Sequence, residues 1–445
     1  MRRFSVVRFA GKPRVMELDD DGRIVEFYDF QDFKNFYTKE VIAFQDATGK
    51  AKTLKLAQAW LDHPASVRWD GLSYHMPGSP YPLPKNHYNA YRGFTVEAKP
   101  GTWDRNKEHI WNIICDGNDQ HFVWVMNWLA ALFQRPGKHA WTSIVMRGGQ
   151  GIGKGHFAEY MLGECFYDQQ YLHIIGANQL TADFNEHLSG KVLVFADEST
   201  WGGDPRAASK LKGMITEPTV PINRKFLPLV SETSALHIII ASNNEWPIPI
   251  ERDDRRFCVL QVNEDRKQDG AYFDALRTEF DNGGRQAMLA ELLAMEIDVD
   301  MLRHPPGSDV KAEIALKSLK PVERWWFEVL EQGVLGQDVW PQRMPKPQIH
   351  AIYCAFLDTH FANSHNPKAT ETELGSFLKK YAGVTQQLSV NGTRQRYLWF
   401  RPLDEARKVW LQEFGWPAPD YKWDDTSEEV DYLLHHPSTD DPRGL

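Results

Sequence analysis

The stretch that decides the reading is Trp141-Thr-Ser-Ile-Val-Met-Arg-Gly-Gly-Gln-Gly-Ile-Gly-Lys-Gly-His-Phe157. An apolar run, Ile144 to Met146, stops at a glycine-rich loop. The loop ends in Gly153-Lys154, and a helix-like segment from Phe157 to Leu162 follows. This is the strand–loop–helix order of a phosphate-binding loop. Its backbone N–H groups curl around phosphate oxygens, and the following helix N-terminus favours negative charge. The expected phosphate-contacting set is Gly148, Gly149, Gln150, Gly151, Ile152, Gly153, Lys154, Gly155 and His156. Lys154 would reach the β- and γ-phosphates. The usual pattern is G-x-x-x-x-G-K-[ST], so Gly155 stands where a hydroxyl is expected.

Three further signals follow. Lys191-Val-Leu-Val-Phe-Ala-Asp-Glu198 is an apolar strand ending in two carboxylates. A carboxylate at a strand tip beside a phosphate loop suits Mg²⁺, and the expected metal ligand is Asp197. Glu198 suits polarising an attacking water. Leu236-His-Ile-Ile-Ile-Ala-Ser-Asn-Asn244 is a second buried-strand pattern, and its Asn243 is expected to sense the γ-phosphate. Arg255 and Arg256 precede a further strand, Phe257 to Val262; an arginine supplied across a subunit boundary stabilises charge on a transferring phosphoryl group. The plain alternatives are a strand exit, a turn-forming Asn-Asn pair, and surface arginines paired with Asp253 and Asp254.

Over residues 206–226, between the second and third of these segments, five basic residues (Arg206, Lys210, Lys212, Arg224, Lys225) stand against one acidic residue, Glu217. Arg224-Lys225-Phe226 is expected near a loop or hairpin tip. Two cations beside an aromatic ring suit a nucleic-acid backbone and a stacked base. Lys212, Arg224, Lys225 and Phe226 are therefore the expected DNA contacts, with a solvated basic loop as the alternative.

The chain has 445 residues, enough for two to four domains, and a 42% hydrophobic share that supports sizeable cores. A net charge of −9 argues against a uniformly basic DNA coat but leaves room for a local basic patch. The four cysteines are far apart and form no C-x-x-C pair, which points to a reducing, cytoplasmic setting. No apolar run reaches the roughly 18 residues of a membrane span. The basic N-terminus turns acidic quickly, and no signal peptide is read there.

The expected organisation has six parts: an α+β module over 1–103, a helical collar over 104–137, and an α/β ATPase-like domain with a parallel sheet over 138–305. A helical connector over 306–336, a winged-helix-like domain over 337–418 and an acidic tail over 419–445 complete it. In the first part Ser5–Phe9 and Ile24–Phe27 read as strands, residues 52–63 as a helix. The aromatic segment 69–93 either packs its own small core or stacks bases. The apolar helix Phe122–Gln134 reads as a buried helix or an oligomerisation surface. Helices over Ile349–His360 and Thr370–Tyr381, then a hairpin around Asn391-Gly392, give the winged-helix pattern.

In order, these motifs resemble superfamily 3 helicases, the AAA+-like ring ATPases of viruses and phages. The similarity is closest to the helicase part of phage and prophage primase-helicases related to the poxvirus-type enzymes. It covers roughly Gln134 to Val262. It is carried by Gly148-Gly-Gln-Gly-Ile-Gly-Lys-Gly155, Phe184-Asn-Glu-His-Leu188, the Asp197-Glu198 strand, Ile215-Thr-Glu-Pro218, Ala241-Ser-Asn-Asn-Glu-Trp246 and Asp254-Arg-Arg-Phe257. The resemblance implies ATP and Mg²⁺ as cofactors and a hexameric ring around DNA. It assigns Lys154, Asp197, Glu198, Asn243 and a trans-acting Arg255 or Arg256 to catalysis, and Arg224 and Lys225 to a DNA-gripping hairpin. No acidic cluster suited to primer synthesis is read, so a separate primase or polymerase is the expected partner. The alternative is an ATP-switched origin- or effector-binding protein.

Overall fold

The computed structural model describes residues 3–45, 47–198, 205–225, 228–244, 246–248, 250, 254–360, 371–390, 393–414 and 423. The chain divides into two compact units, residues 1–249 with 255–310, and residues 250–254 with 311–445.

The first unit opens on a four-stranded sheet, order β3-β2-β1-β6, built from β1 (Phe4–Phe9), β2 (Lys12–Leu18), β3 (Ile24–Tyr28) and β6 (Arg68–Trp69). The sequence reading missed β2. Its Lys-Pro-Arg start reads as polar, yet Val15 and Met16 are fully buried on opposite faces. Helix α1 (Phe30–Phe36) and helix α2 (Leu56–Asp62) pack on one face through Phe33, Ala57, Trp60 and Leu61. The expected helix over 52–63 is half strand: β4 (Val41–Gln45) pairs with β5 (Ala51–Lys55), and α2 begins only at Leu56. Short strands β7 (Gly71–Ser73) and β8 (His87–Asn89) close the module. Trp69 and Tyr88 pack edge to face, so these two rings of the 69–93 segment serve its own core.

Helix α3 (Asp104–His109) runs into a π-helical turn, and α4 (Asp119–Gln134) follows. Trp124, Val125, Trp128, Leu129 and Leu132 of α4 are each at most 1% exposed. They pack in the same core as the central strands and the later helices. The buried-helix reading describes these residues of α4.

The central sheet is β9 (Ser143–Arg147), β10 (Tyr171–Ile175), β11 (Leu193–Asp197), β14 (His237–Ser242) and β15 (Phe257–Gln261). Its order is β10-β11-β14-β9-β15, and every neighbouring pair is parallel. Continuous apolar runs fit this placement, because parallel strands are buried on both faces. Beside it lie α5 (Ala177–Leu180), α6 (Pro205–Thr216) and the antiparallel hairpin of β12 (Thr219–Ile222) and β13 (Val230–Thr233). Helices α7 (Gly270–Glu279), α8 (Arg285–Ala294) and α9 (Val299–Arg303) complete the unit, and α10 (Asp309–Lys317) spans its boundary. No helix among the described residues is long and apolar enough to cross a membrane.

The second unit holds α11 (Pro321–Gln332), the small pair β16 (Val334–Leu335) and β17 (Asp338–Val339), then β18 (Arg343–Pro345) and α12 (Lys346–His360). After these come α13 (Glu371–Tyr381), β19 (Gly383–Val390), β20 (Thr393–Phe400) and α14 (Leu403–Phe414). The antiparallel sheet has the order β18-β20-β19. The expected helices and hairpin are present, while Asn391-Gly392 and the acidic tail, Trp423 apart, lie outside the described residues. Helix α11 is not a connector. Its Trp325, Trp326, Phe327, Val329 and Leu330 share one core with Tyr353, Leu398 and Trp410. Each fully buried indole removes about 200 Å² from water, which stabilises by roughly 5 kcal/mol before entropy is charged.

Candidate active site

A parallel sheet brings the carboxyl ends of its strands to one edge, and ligands gather where the strand order reverses. Here β9 lies between β14 and β15. The phosphate loop leaves the end of β9, Asp197 ends β11, and Asn243 follows β14. All three open into one cleft of about 490 Å³. Its walls include Gln150 to His156, Asp197, Glu198, Asn243, Gln268, Gly270, Phe273 and Arg277.

The loop is pinned at its start, where Gly148 N donates to Ser242 O (3.1 Å) and Val262 N donates to Arg147 O (2.9 Å). Gly153 adopts φ +103°, and a Cβ there would come within 2.6 Å of the His109 ring and 3.1 Å of Phe273. That position is closed to any side chain. Gly155 is the opposite case. It has helical angles (φ −65°, ψ −37°) and nothing within 4 Å of an added Cβ. A serine or threonine would fit, so neither backbone nor space explains the missing hydroxyl.

Lys154 is only 8% exposed. Its Nζ donates to Gly148 O (2.6 Å) and Gly149 O (2.5 Å), both neutral acceptors. Burial pushes the ammonium pKa down, and the Asp197 and Glu264 carboxylates act against that shift. Glu264 accepts from Gly149 N (3.1 Å) and from Lys267 Nζ (2.9 Å). At the opposite edge Asp197 Oδ1 accepts from Glu198 N (2.8 Å), and Glu198 is held at φ +50°. A non-glycine residue in that region stores strain of about 1–3 kcal/mol, which the surrounding strand tip must hold in place. Asn243 faces the cleft. Asn244 instead forms the turn, with its N–H donating to Ser242 Oγ and its Oδ1 accepting from Trp246 N (both 3.0 Å).

Helix α7 supplies a wall the sequence reading missed. Gln268 N donates to Gly151 O (2.9 Å), and Asp269 caps α7 by accepting from Tyr272 N (3.1 Å). This seats Phe273 and Arg277 in the cleft. A capped amphipathic helix in sequence carries no mark of which loop it will face.

The other expected site residues lie elsewhere. Arg255 is exposed and Arg256 half-buried, just before β15, and neither lines the cleft. Lys212 is half-buried on α6, Lys225 is exposed, and Phe226 is outside the described residues. Arg224 is not at an exposed tip. Its side chain is 3% exposed, its Nη2 donates to Glu232 Oε1 (2.9 Å) and Ser189 Oγ (3.0 Å), and its Nε donates to Glu186 Oε1 (3.2 Å). The guanidinium also sits 5.3 Å from the Phe9 ring centroid. The expectation of a DNA-facing Arg224 is corrected: its guanidinium is buried and bonded to Glu186, Glu232 and Ser189.

Residues 146–256 match the profile of a family of unknown function (DUF5906). A stretch of 143 residues, 31% of this chain, is 35% identical to the DNA primase-polymerase of Nitratiruptor phage NrS-1 and spans only 19% of that protein. The apo structure of the NrS-1 C-terminal region (305–718) matches with a TM-score of 0.63 at 17% identity, over 90% of this chain and 97% of that one. A second apo form gives 0.62 at 18% identity, over the same shares. The chain is thus an α/β protein with a five-stranded parallel sheet, similar in fold to the C-terminal region of a phage primase-polymerase.

Proposed function

We propose that the chain is an ATP-dependent DNA helicase or translocase of phage or prophage replication, working in the cytoplasm of a bacterial host. The observation that carries this reading is the convergence of Lys154, Asp197, Glu198 and Asn243 on one cleft. Those four come from the ends of three adjacent parallel strands, the arrangement expected of an AAA+-like, superfamily 3 motor. In this reading Lys154 transfers its hydrogen bonds from loop carbonyls to phosphate oxygens. Glu198 orients the attacking water, and Asn243 contacts the γ-phosphate side. Asp197 keeps Oδ2 for Mg²⁺, which would neutralise charge on the phosphates. No cluster of three or more metal-ligating side chains exists among the described residues. One carboxylate with nucleotide oxygens and water nevertheless suits Mg²⁺. Arg255 or Arg256, outside the cleft of its own subunit, would serve the neighbouring one in a hexameric ring.

The second unit supports a DNA-docking role. Its helix–strand–helix–helix–hairpin order is that of a winged helix. With Gly155 in the loop, this also favours the alternative of an ATP-switched origin- or effector-binding protein. Strand displacement on forked DNA separates the two. ATP-dependent unwinding, lost in Lys154→Ala and Glu198→Gln, supports the motor. Site-specific duplex binding with no unwinding supports the switch. A separate primase or polymerase is the partner this reading calls for.

A further inference from the structure

The two ends of the cleft differ in chemistry. One carries Asp197, Glu198 and Asn243, and the other carries His156, Gln268, Gly270, Phe273 and Arg277, with the phosphate loop between them. A nucleoside triphosphate that sets its terminal phosphate against the carboxylates projects its base toward the second end. Phe273 supplies the apolar face there that a purine needs. His156 stands beside it, with ring centroids 5.8 Å apart.

The hydrogen-bond polarity of His156 is fixed by a buried chain. Glu279 Oε2 accepts from Asn106 Nδ2 (2.8 Å), and Leu276 O accepts from the same nitrogen (3.0 Å). Both Asn106 amide protons are thereby used, and Asn106 itself is fully buried. Its Oδ1 is an acceptor only, so the His156 Nε2 at 3.1 Å must be the protonated nitrogen. The ring is neutral, because burial and then the cations Arg277 and Arg285 push its pKa down to about 4. Nδ1 is therefore an unprotonated acceptor, and it makes no hydrogen bond to a described residue.

We infer that His156, set as an acceptor by the Glu279–Asn106 relay, selects a nucleotide whose base offers an N–H donor at the 6-position, an adenine rather than a 6-oxopurine. Adenine carries a 6-amino donor next to the N7 acceptor, whereas guanine and hypoxanthine carry a carbonyl there. A carbonyl facing Nδ1 sets two lone pairs against each other, a penalty worth roughly tenfold or more in affinity. His156 thus discriminates between bases, and Asn106 is a positioning residue. This inference rests on the ATP reading above.

The test is equilibrium binding of ATP and of inosine triphosphate to the full chain, with Lys154→Ala as reference. The wild-type protein is expected to prefer ATP by about tenfold or more. His156→Leu is expected to bring the ratio close to one, and Asn106→Ala to reduce it by freeing the tautomer. Lys154→Ala is expected to weaken both nucleotides alike. His156→Gln, which offers donor and acceptor, is expected to bind both nucleotides with little preference and guards against misfolding of the leucine variant. Equal binding of the two nucleotides by the wild type, or a ratio unchanged in both His156 variants, overturns the inference while leaving the ATP reading intact. Binding of neither nucleotide overturns that reading and the inference with it.

Discussion

Lys154 and Arg224 are both cations at most 8% exposed, yet their surroundings are opposite. Lys154 rests on two neutral backbone carbonyls and faces a cleft. Arg224 is bonded to Glu186, Glu232 and Ser189 and lies against an aromatic ring. A buried charge needs compensation. Where neutral groups supply it, an anionic ligand replaces them at a gain. Where carboxylates supply it, the charge is spent on the fold. A basic residue in the sequence thus faces an open cleft in one place and clamps the fold in the other.

Substitutions at Lys154 and Arg224 are expected to separate the two roles. Lys154→Ala is expected to lower ATP hydrolysis by about two to three orders of magnitude. Its urea midpoint should barely move, because the loop carbonyls it leaves are open to water. Arg224→Ala is expected to do the reverse. It strands Glu232 and costs about 3 kcal/mol, read as a lower urea midpoint. That figure sits at the low end for buried pairs because Glu232 and Glu186 are 25% and 57% exposed. Nucleotide affinity of the folded Arg224→Ala protein should be unchanged.

Buried imidazoles extend the comparison to groups that escape compensation by staying neutral. Burial pushes His109 down to about 3 and His237 to about 4, against an ordinary value of 6.5. The unfolded chain takes up these protons below about pH 6.5, and the folded chain does not. Their contribution to stability is complete above that pH and is lost as pH falls toward 4, by about 2 kcal/mol each at pH 5. Urea midpoints measured between pH 7 and 4.5 should therefore fall, and fall less in a His237→Asn variant.

The smallest effect concerns Gly155. Serine fits there and suits helical angles better, so Gly155→Ser should raise stability by a few tenths of a kcal/mol. Its hydroxyl adds a metal ligand worth about 1 kcal/mol, which would move the Mg²⁺ dependence of ATP turnover several-fold lower. An unchanged Mg²⁺ dependence would show that the metal is held away from residue 155.

Much of the cleft was legible because its parts are local patterns. The glycine spacing, the Asp-Glu exit of β11 and the Asn tip after β14 are each written in consecutive residues, and the parallel sheet aligns them without further information. What was not legible depends on long-range pairing. Helix α7 meets the loop through Gln268 and Gly151, and nothing near either residue announces the contact. Arg224 was misplaced for the same reason, since Glu186 lies 38 positions away. Strand β2 was missed because it pairs with both neighbours behind a polar, proline-containing start. Helix α11 read as a connector because its paired tryptophans find their partners only in later elements.

In the proposed mechanism the cleft hydrolyses ATP, with Glu198 activating the water and Lys154 holding the phosphates. The direct measurement is DNA-stimulated ATP turnover by Glu198→Gln beside its ATP affinity. Wild-type affinity is expected, with turnover reduced about a hundredfold or more. Turnover equal to that of the wild type would contradict it.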